Sequence, residues 1–561
     1  MKLRELRVHN FRCLHDATIG ISDYGLLIGA NNAGKSSVID AIRVVYEDLK
    51  FEAARDTPKK YADPQDTDTW VELEFELTPA EAASIKNEYL MKANRFRVRR
   101  NLQGPDKKLL HLYAYEAGNL SQNQFYGDDN VGRGKLGSVI HIPAVSKVED
   151  VAKFSGASPL RDLINSIFKK LLKTSPAFAD LQKALGAFGS AVAVEKTADG
   201  HSLTGVEAAI NDGLQSWNAK FKFRTNPLSE TEVVKSLFDF SIVDGATGHE
   251  QPASSFGHGL QRHLIFTLLM VAASFNAVGK AGDKKEFSPD LTLLLFEEPE
   301  AFLHPQQQAA LDAGLRSLGK HVDFQVIVST HSAYFVSRNA ADLTALCRLQ
   351  KPDHSAHVGQ ISTADLDTLV LSNQQINAIA AKYRNYKPGP EEMTADMECV
   401  KYFMWLNAER TGLFFARRVL IVEGPTEVAA VNYLAQAGML KSPPDYYVLD
   451  AMGKFNINRF MNLLGLLKIA HSVLHDDDTK NKAGDDLAFH QEVNALIAGS
   501  RNSSTRAIHV VPGDIEQFLS FPMAGKDHRK PTRLLLALQQ GKVDPGRLNG
   551  LASLVDQLLF A

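Results

Sequence analysis

Cysteine is nearly absent from this chain. Its 561 residues include three, Cys13, Cys347 and Cys399, far apart and in no CxxC pair. That excludes a disulfide framework and a cysteine-built zinc site, and it points to a reducing compartment. An excess of charge is missing too: 62 Lys and Arg stand against 65 Asp and Glu, a net charge of −3. A chain so balanced is no general polycation, and contact with nucleic acid has to come from local basic patches. No apolar run is long and clean enough to span a bilayer, and Met1-Lys-Leu-Arg-Glu-Leu-Arg is too polar for a signal peptide. A cytoplasmic protein is expected. Nor is there a long heptad array, so no extended coiled-coil arm. What remains is an ordinary globular composition, 44% hydrophobic and 23% charged, at a length that calls for two or more domains.

Residues 2–9 alternate charged and apolar as a strand does. A second strand, Tyr24-Gly-Leu-Leu-Ile, runs into Gly29-Ala-Asn-Asn-Ala-Gly-Lys-Ser36, which fits the GxxxxGK[ST] phosphate-binding loop. In such a loop the backbone N–H groups around Asn31, Asn32 and Gly34 turn inward to cradle phosphates. Lys35 reaches the β/γ-phosphates, the Ser36 hydroxyl ligates Mg²⁺, and Ser37 opens a helix whose N-terminus faces the anion. Trp70–Leu77 and Arg95–Arg99 alternate strictly and predict half-solvated antiparallel strands. The second places Arg95, Arg97 and Arg99 on one face, either to meet phosphates or simply to be solvated. Residues 101–135 are rich in Gly, Asn, Asp and Lys and predict loops, and Val139-Ile-His-Ile-Pro143 predicts a core strand. From about 155 to 245 helical periodicity dominates, as in Leu160–Leu172, and an inserted helical subdomain is expected there.

Three further stretches follow in order. Ser254-Ser-Phe-Gly-His-Gly-Leu-Gln-Arg262 is a Gly-rich turn leading into an apolar helix, His263–Ala273. Leu291-Thr-Leu-Leu-Leu-Phe-Glu-Glu-Pro-Glu300 is a buried strand ending in paired acids, and Phe324-Gln-Val-Ile-Val-Ser-Thr-His331 is a strand ending in a histidine. The acids fit a Walker B pattern, with Glu297 on the metal side and Glu298 as base or water-positioning group. After the phosphate loop, this succession resembles the ATP-binding domain of ABC-type ATPases. The resemblance implies that Ser255, Gly257, Gly259 and Gln261 form a signature loop presented to the γ-phosphate of an opposite subunit. It also implies that His331 is the switch histidine, and that two copies sandwich ATP, so a homodimer or higher homo-oligomer is expected.

A Pro-, Gly- and Glu-rich linker near 385–398 precedes a βαβ series. Val419-Leu-Ile-Val is a strand ending in Glu423-Gly-Pro-Thr-Glu427. Tyr446–Leu449 is a second strand, followed by Gly453-Lys454. Ala470–His475 is a third, ending in Asp476-Asp-Asp478, and Ala507–Val511 leads to Pro512-Gly-Asp-Ile-Glu516. Acids at the carboxyl ends of parallel strands occupy the place where open α/β sheets keep their chemistry. Strand alternation favours Asp476 and Asp478 pointing the same way.

Glu-Gly-Pro-Thr-Glu, followed about 50 residues later by Asp-x-Asp, resembles a Toprim domain, the metal-binding fold of primases, topoisomerases and some nucleases. An ABC-type ATPase with a helical insert joined to a C-terminal Toprim is similar to the overcoming-lysogenization-defect (OLD) family of ATP-dependent nucleases, which includes the nuclease subunit of Gabija phage defence. The resemblance covers nearly the whole chain. It implies an α/β fold with ATPase parts at 1–155 and 246–385, a helical insert at 156–245, a linker at 386–410 and a Toprim nuclease domain at 411–561. It implies Glu423, Glu427, Asp476, Asp478 and Glu516 as metal ligands, with Glu423 also catalytic. Lys530 is implied near the scissile phosphate, with Lys526 close by as the alternative. ATP and Mg²⁺ or Mn²⁺ are the implied cofactors. DNA is the implied substrate, and an accessory helicase or other defence-system protein is a candidate partner. Competing readings are an ATPase of structural-maintenance type with an inactive Toprim, a topoisomerase or primase, and an effector acting on nucleotides or RNA.

Overall fold

A computed structural model of the chain describes residues 1–127, 135–144, 175–217, 219–223, 241–252, 255–277, 291–336, 342–384 and 410–560, without 442, 444, 481 and 522–528, plus isolated residues in the gaps. Two compact units emerge, Met1–Ala144 with Asp283–Ala561, and Val145–Gly282. Among the described residues no helix is long and apolar enough to cross a membrane.

The larger unit begins with β1 (Lys2–Phe11), β2 (Leu14–Gly20), β3 (Tyr24–Ile28), β4 (Thr69–Glu76), β5 (Arg95–Gln103), β6 (Leu112–Glu116), β7 (Asn119–Gln124) and β8 (Ser138–Ile142). The smaller unit holds a two-stranded ribbon of β9 (Ile242–Val243) and β10 (Glu250–Gln251). Back in the larger unit come β11 (Thr292–Glu297), β12 (Phe324–Ser329), β13 (Leu346–Gln350) and β14 (His357–Gln360). The last four are β15 (Arg418–Val422), β16 (Tyr446–Asp450), β17 (Ala470–Asp476) and β18 (Thr505–Val511).

Three sheets organise the larger unit. The first has the order β2-β1-β4-β5-β6-β7 and is antiparallel throughout. The second runs β14-β13-β3-β12-β11-β8, parallel except for the β14 edge. Every residue of β3 and β12 is buried, as expected of central strands covered on both faces. The Lys35–Val45 helix lies between these sheets: Val38, Ile39 and Ile42 share one core with Leu6, Phe75 and Phe96 of the first and Leu27, Leu295 and Ile327 of the second. The third sheet, β16-β15-β17-β18, is wholly parallel, and helices Pro425–Gln436, Lys530–Gln539 and Pro545–Phe560 bury Val431, Leu534, Leu538 and Val555 against Leu420 and Leu474.

Two expectations need correction. Residues 101–135 are not all loop: β6 and β7 form a hairpin there, turning at Ala117 (φ 48°) and Gly118 (φ 88°). Two successive positive φ values suit the right-handed twist of a two-residue hairpin, which is why a glycine follows Ala117. The arginine face of β5 stays partly exposed but is committed to ion pairs with β4. Arg95 Nη1 and Arg97 Nε donate to Glu74 at 2.7 and 3.0 Å, and Arg99 Nε donates to Glu72 at 2.7 Å while its guanidinium lies 3.9 Å over the Trp70 ring. Strict alternation in both strands puts the acids of β4 opposite these cations in register.

In the smaller unit helices Pro176–Val194 and Leu203–Leu214 are described, whereas the helix expected over Leu160–Leu172 lies outside the described residues save Leu172. Most of the expected linker, 386–410, and Lys526 lie outside them as well.

Candidate functional site

The phosphate loop leaves β3 at Gly29 (φ 139°), turns at Asn32 (φ 61°), and enters the Lys35–Val45 helix through Gly34 (φ 108°). At Gly29 a Cβ would come within 2.1 Å of Leu349 O, so only glycine lets the loop pass β13. Lys35 Nζ donates to Gly29 O and Ala30 O, both at 3.0 Å, and stands 2.8 Å from His331 Nε2. Burial lowers the Lys35 ammonium to about 8, and burial together with Lys35 lowers His331 to about 4. His331 is therefore neutral and accepts from Lys35. The Ser36 hydroxyl donates to Glu297 Oε2 at 2.7 Å, and His141 Nε2 lies 2.8 Å from Glu297 Oε1. Burial alone would raise Glu297, but these two partners hold it below its ordinary value. Glu298 takes a left-handed backbone (φ 42°), fixed by its N–H on Ser329 O at 2.7 Å, and its Oε1 is 3.8 Å from His331 Nε2. A non-glycine residue held there costs about 1–2 kcal/mol, the kind of strain that clusters at working sites. Lys35, Ser36, Glu298 and His331 line a cavity of about 510 Å³ with Arg12, Asn31 and Asn32. Ser37 is buried beside Cys13, 3.5 Å from its Sγ.

Ser255, Gly257, Gly259 and Gln261 belong to the smaller unit. Gly257 precedes the helix His258–Ala277, and buried Gln261 donates from Nε2 to Phe256 O at 2.7 Å, tying the turn to the first helical residues.

The second polar centre sits at the carboxyl ends of β15, β17 and β18. Glu423 directly follows β15, and its Oε2 accepts from Asp476 N at 3.4 Å. Glu427, 6% exposed in the first turn of Pro425–Gln436, accepts from Gly424 N at 2.9 Å and so caps its own helix as well as facing the cluster. Asp476 ends β17, and Asp477 N pairs with Val511 O at 3.0 Å. The Asp477 carboxylate is engaged elsewhere, accepting from Asn494 Nδ2 at 3.1 Å and from Thr479 Oγ1. Asp478 turns back through a left-handed backbone (φ 59°). The strand stops at Asp476, so this turn, rather than strand alternation, brings Asp478 into the group. Glu516, 4% exposed, lies 3.2 Å from Lys530 Nζ, at the start of the Lys530–Gln539 helix.

Electrostatics show that these acids converge. Burial raises Glu423 to about 7, with Asp478 adding; burial raises Glu427 to about 8, with Glu423 and Glu516 adding. Burial raises Asp476 to about 9, and Glu427, Glu423, Asp478 and Glu516 all push it the same way. Burial would lower Lys530, but Glu516, Asp514 and Asp476 raise it. Asp476 Oδ1 is buried without a hydrogen-bond partner among the described residues. A buried orphan acceptor among mutually repelling carboxyls is what a hard divalent cation would satisfy, and an all-oxygen donor set suits Mg²⁺ or Mn²⁺ rather than zinc. The fit is one of donor chemistry and charge: among the described residues no three His, Cys, Asp or Glu stand as a preformed metal cluster.

Three participants escaped the sequence reading. His141 sits mid-strand and looked like core. Glu300 Oε1 accepts from His331 N at 2.7 Å and so fixes the histidine's backbone. Lys454 is 3% exposed and donates from Nζ to Asp476 O at 2.5 Å, Asp477 O at 3.1 Å and Asp478 Oδ2 at 3.3 Å. Its signal was Gly453-Lys454 just past a strand end, the same register as the acids, with Gly453 at φ 109°.

A phosphate loop beside a Glu-Glu strand, joined to a parallel sheet tipped with carboxylates, defines an ATP-binding domain coupled to a Toprim-type centre. Comparisons with known proteins agree. The AAA ATPase domain model matches residues 1–131 and 119–336, and the overcoming lysogenization defect protein-like TOPRIM model matches residues 414–478. The Old nuclease of Escherichia phage P2 is 22% identical, across 85% of this chain and 77% of that protein. The OLD nuclease of Thermus scotoductus is 23% identical, across 97% of this chain and 96% of that one. Endonuclease GajA of Bacillus cereus strain VD045 is 23% identical, across 86% and 76%. The chain belongs to the AAA ATPase domain family, and its residues 414–478 match the OLD-like Toprim domain.

Proposed function

We propose that this protein is a DNA endonuclease dependent on Mg²⁺ or Mn²⁺, governed by its ATPase domain and serving in defence against phage. The observation that carries the reading is the convergence of Glu423, Glu427, Asp476, Asp478 and Glu516 at one end of a parallel sheet, with three of their carboxyls raised well above the ordinary range. In this reading those five residues hold divalent cation. When bound, it supplies a Lewis acid that polarises a phosphodiester and makes hydroxide accessible near neutral pH. The chain's own groups do the rest. Glu423 orients the attacking water from the end of β15. Lys530, its charge reinforced by Glu516, offsets negative charge on the scissile phosphate. Lys454 holds the Asp476–Asp478 backbone and so fixes where the carboxylates point.

At the ATPase, the loop Asn31–Ser37 binds the nucleotide phosphates with Lys35. Ser36 and Glu297, already bonded to each other, hold Mg²⁺. Glu298 positions the hydrolytic water, and His331 senses the γ-phosphate. Ser255, Gly257, Gly259 and Gln261 complete the sandwich from a second copy, so the working form is a homodimer or higher oligomer. The relatives' names, two nucleases and an endonuclease among them, support the nuclease reading; DNA as substrate, phage defence as role and an accessory helicase as candidate partner complete the proposal.

The test is cleavage of supercoiled plasmid in Mg²⁺ and in Mn²⁺ by wild type and by Asp476→Ala. Wild type is expected to nick and linearise the plasmid, and the variant to leave it closed. Equal nicking by both overturns the assignment.

A further inference from the structure

A second cleft, of about 710 Å³, runs alongside the nucleotide pocket and shares Asn31, Asn32, Ala33 and Lys351 with it. Its other wall is built from the Toprim part: residues 415–418 leading into β15, Lys468 before β17, and Ser503, Ser504 and Arg506 around the start of β18. The cleft therefore lies at the amino ends of the strands whose carboxyl ends carry the acid cluster. Lys351, Arg417, Lys468 and Arg506 reach it from four separate segments, against one lining carboxylate, Asp353.

These cations are not spent on internal pairing. Among the described residues, no carboxylate lies within 4.0 Å of Lys351, Lys468 or Arg506, and Arg417 meets only the exposed Asp445, at 3.2 Å. Elsewhere in this nearly neutral chain Arg4, Arg95, Arg97 and Arg99 of the first sheet are paired with Glu76, Glu74 (two arginines) and Glu72. The remaining cleft arginines do have other duties. Arg348 serves buried carbonyls, and Arg418 Nη1 donates to Leu559 O at 2.5 Å.

We propose that this cleft binds the phosphodiester backbone of nucleic acid. A small anion is captured by donors that enclose it, as the phosphate loop does next door. Here Lys468 and Arg506 are exposed and spread along an open rim with the exposed hydroxyl of Ser503, an arrangement that tracks a chain of phosphates. Contacts of this kind position a duplex without reading its sequence. Sharing the Asn31–Ala33 wall also makes nucleotide and nucleic acid neighbours, so occupancy of one changes the electrostatics of the other. The inference deepens the endonuclease reading and rests on it for the identity of the ligand, but it is tested separately.

The experiment is fluorescence anisotropy with a labelled duplex of about twenty base pairs, in EDTA so that no cleavage occurs, across a salt series. The proteins are wild type, Lys468→Gln/Arg506→Gln and Lys468→Glu/Arg506→Glu. Both residues are exposed and stand at the opposite ends of β17 and β18 from the acids, and binding of a fluorescent ATP analogue checks that each variant is folded. The glutamine pair is expected to bind at least tenfold more weakly near 0.1 M salt, with the log–log salt slope reduced by about two, one per lost phosphate contact. The glutamate pair should bind more weakly still. Wild-type affinity and slope in both variants overturn the proposal. So does displacement of the duplex by micromolar inorganic tripolyphosphate, which would assign the cleft to a free phosphate chain. Plasmid cleavage is scored in parallel: weakened binding by the variants with no cleavage by wild type keeps the cleft and sinks the nuclease, and intact binding with active wild type does the reverse.

Discussion

Replacing Asp476 with asparagine should make the metal-free protein more stable at high pH and leave it unchanged at low pH. Asp476 is buried, one of its oxygens has no partner among the described residues, and its carboxyl is raised from 3.8 to about 9. The folded state thus prefers the protonated acid. That preference contributes stability below the unfolded pKa near 4 and is lost as pH rises toward the folded value. Glu423 and Glu427, at about 7 and 8, carry the same sign. Each pH unit of raise costs about 1.4 kcal/mol once the group is forced to ionise. Burial is the largest cause, and the coupled neighbouring carboxyls share the rest, so only part of the raise belongs to Asp476 itself, on the order of 3 kcal/mol at pH 9. Asparagine keeps the shape of the neutral acid and cannot ionise. Urea unfolding of wild type and Asp476→Asn in EDTA, at intervals from pH 5 to pH 9, should show a gap of about 1 kcal/mol at pH 5 that widens to about 3 kcal/mol in favour of the variant. Saturating Mg²⁺ should shrink or reverse the gap, since a cation that binds only the folded carboxylates stabilises wild type. A gap that stays constant with pH, or that favours wild type in EDTA at pH 9, refutes the reasoning.

Other expectations follow from single contacts. Lys35→Ala should weaken ATP-analogue binding at least tenfold, and Glu298→Gln should keep that binding while slowing hydrolysis on the order of a hundredfold, both read by fluorescence titration and phosphate release. Arg348→Met strands the buried carbonyls of Phe414 and Ala416, and urea unfolding should report a loss of about 3 kcal/mol. Arg348→Lys should recover only part of it, because one ammonium cannot reproduce the guanidinium fork. Lys454→Met should cut plasmid nicking about ten- to a hundredfold at fixed Mg²⁺ without changing ATP hydrolysis, the effect of losing a group that orients metal-ligating carboxylates.

Much of the architecture was legible because two local signals are physically obligatory. A strand buried on both faces must read as a continuous apolar run, and β3, β11, β12 and β15 all do. A phosphate loop must place glycine where the backbone turns left-handed, and Gly29 and Gly34 do so. Strand-end acids then mark the carboxyl edge of a parallel sheet. What the sequence left unread depends on partners far along the chain. The β5 arginines advertise charge, and only the pairing with β4 shows that Glu72 and Glu74 neutralise them. His141 becomes a partner of Glu297 only because β8 lies parallel to β11 across 150 intervening residues of sequence, more or less. Lys454 follows a glycine just past the end of β16, with no local sign of burial. Its burial follows from the way Asp476–Asp478 turns out of β17, a bend that strand periodicity cannot predict.

The arrangement of β13 shows how one compact unit can make the two chemistries depend on each other. β13 pairs with β3, the strand that feeds the phosphate loop, and Leu349 O sits where a Cβ on Gly29 would fall. The next side chain, Arg348, is 3% exposed and spends its donors on Phe414 O at 3.1 Å, Ala416 O at 2.9 Å and Lys468 O at 3.3 Å. Ala416 stands two residues before β15, whose far end carries Glu423, and Lys468 stands two before β17, whose far end is Asp476. On the neighbouring strand a Cβ at Gly359 would lie 2.2 Å from Leu467 O, so the Toprim backbone presses on β14 as closely as the phosphate loop presses on β13. Close-packed backbone transmits displacement because it has no slack to absorb it. The phosphate loop and the starts of the two strands that carry Glu423 and Asp476 are thus held against the same pair of strands, β13 and β14. Arg348 is held by hydrogen bonds to carbonyls rather than by a carboxylate, and burial lowers its pKa to about 10. No carboxylate among the described residues pairs with it, and those carbonyl contacts are what keep the charge satisfied while buried. That requirement fixes the spacing between the nucleotide loop and the carboxylate cluster more tightly than apolar packing would.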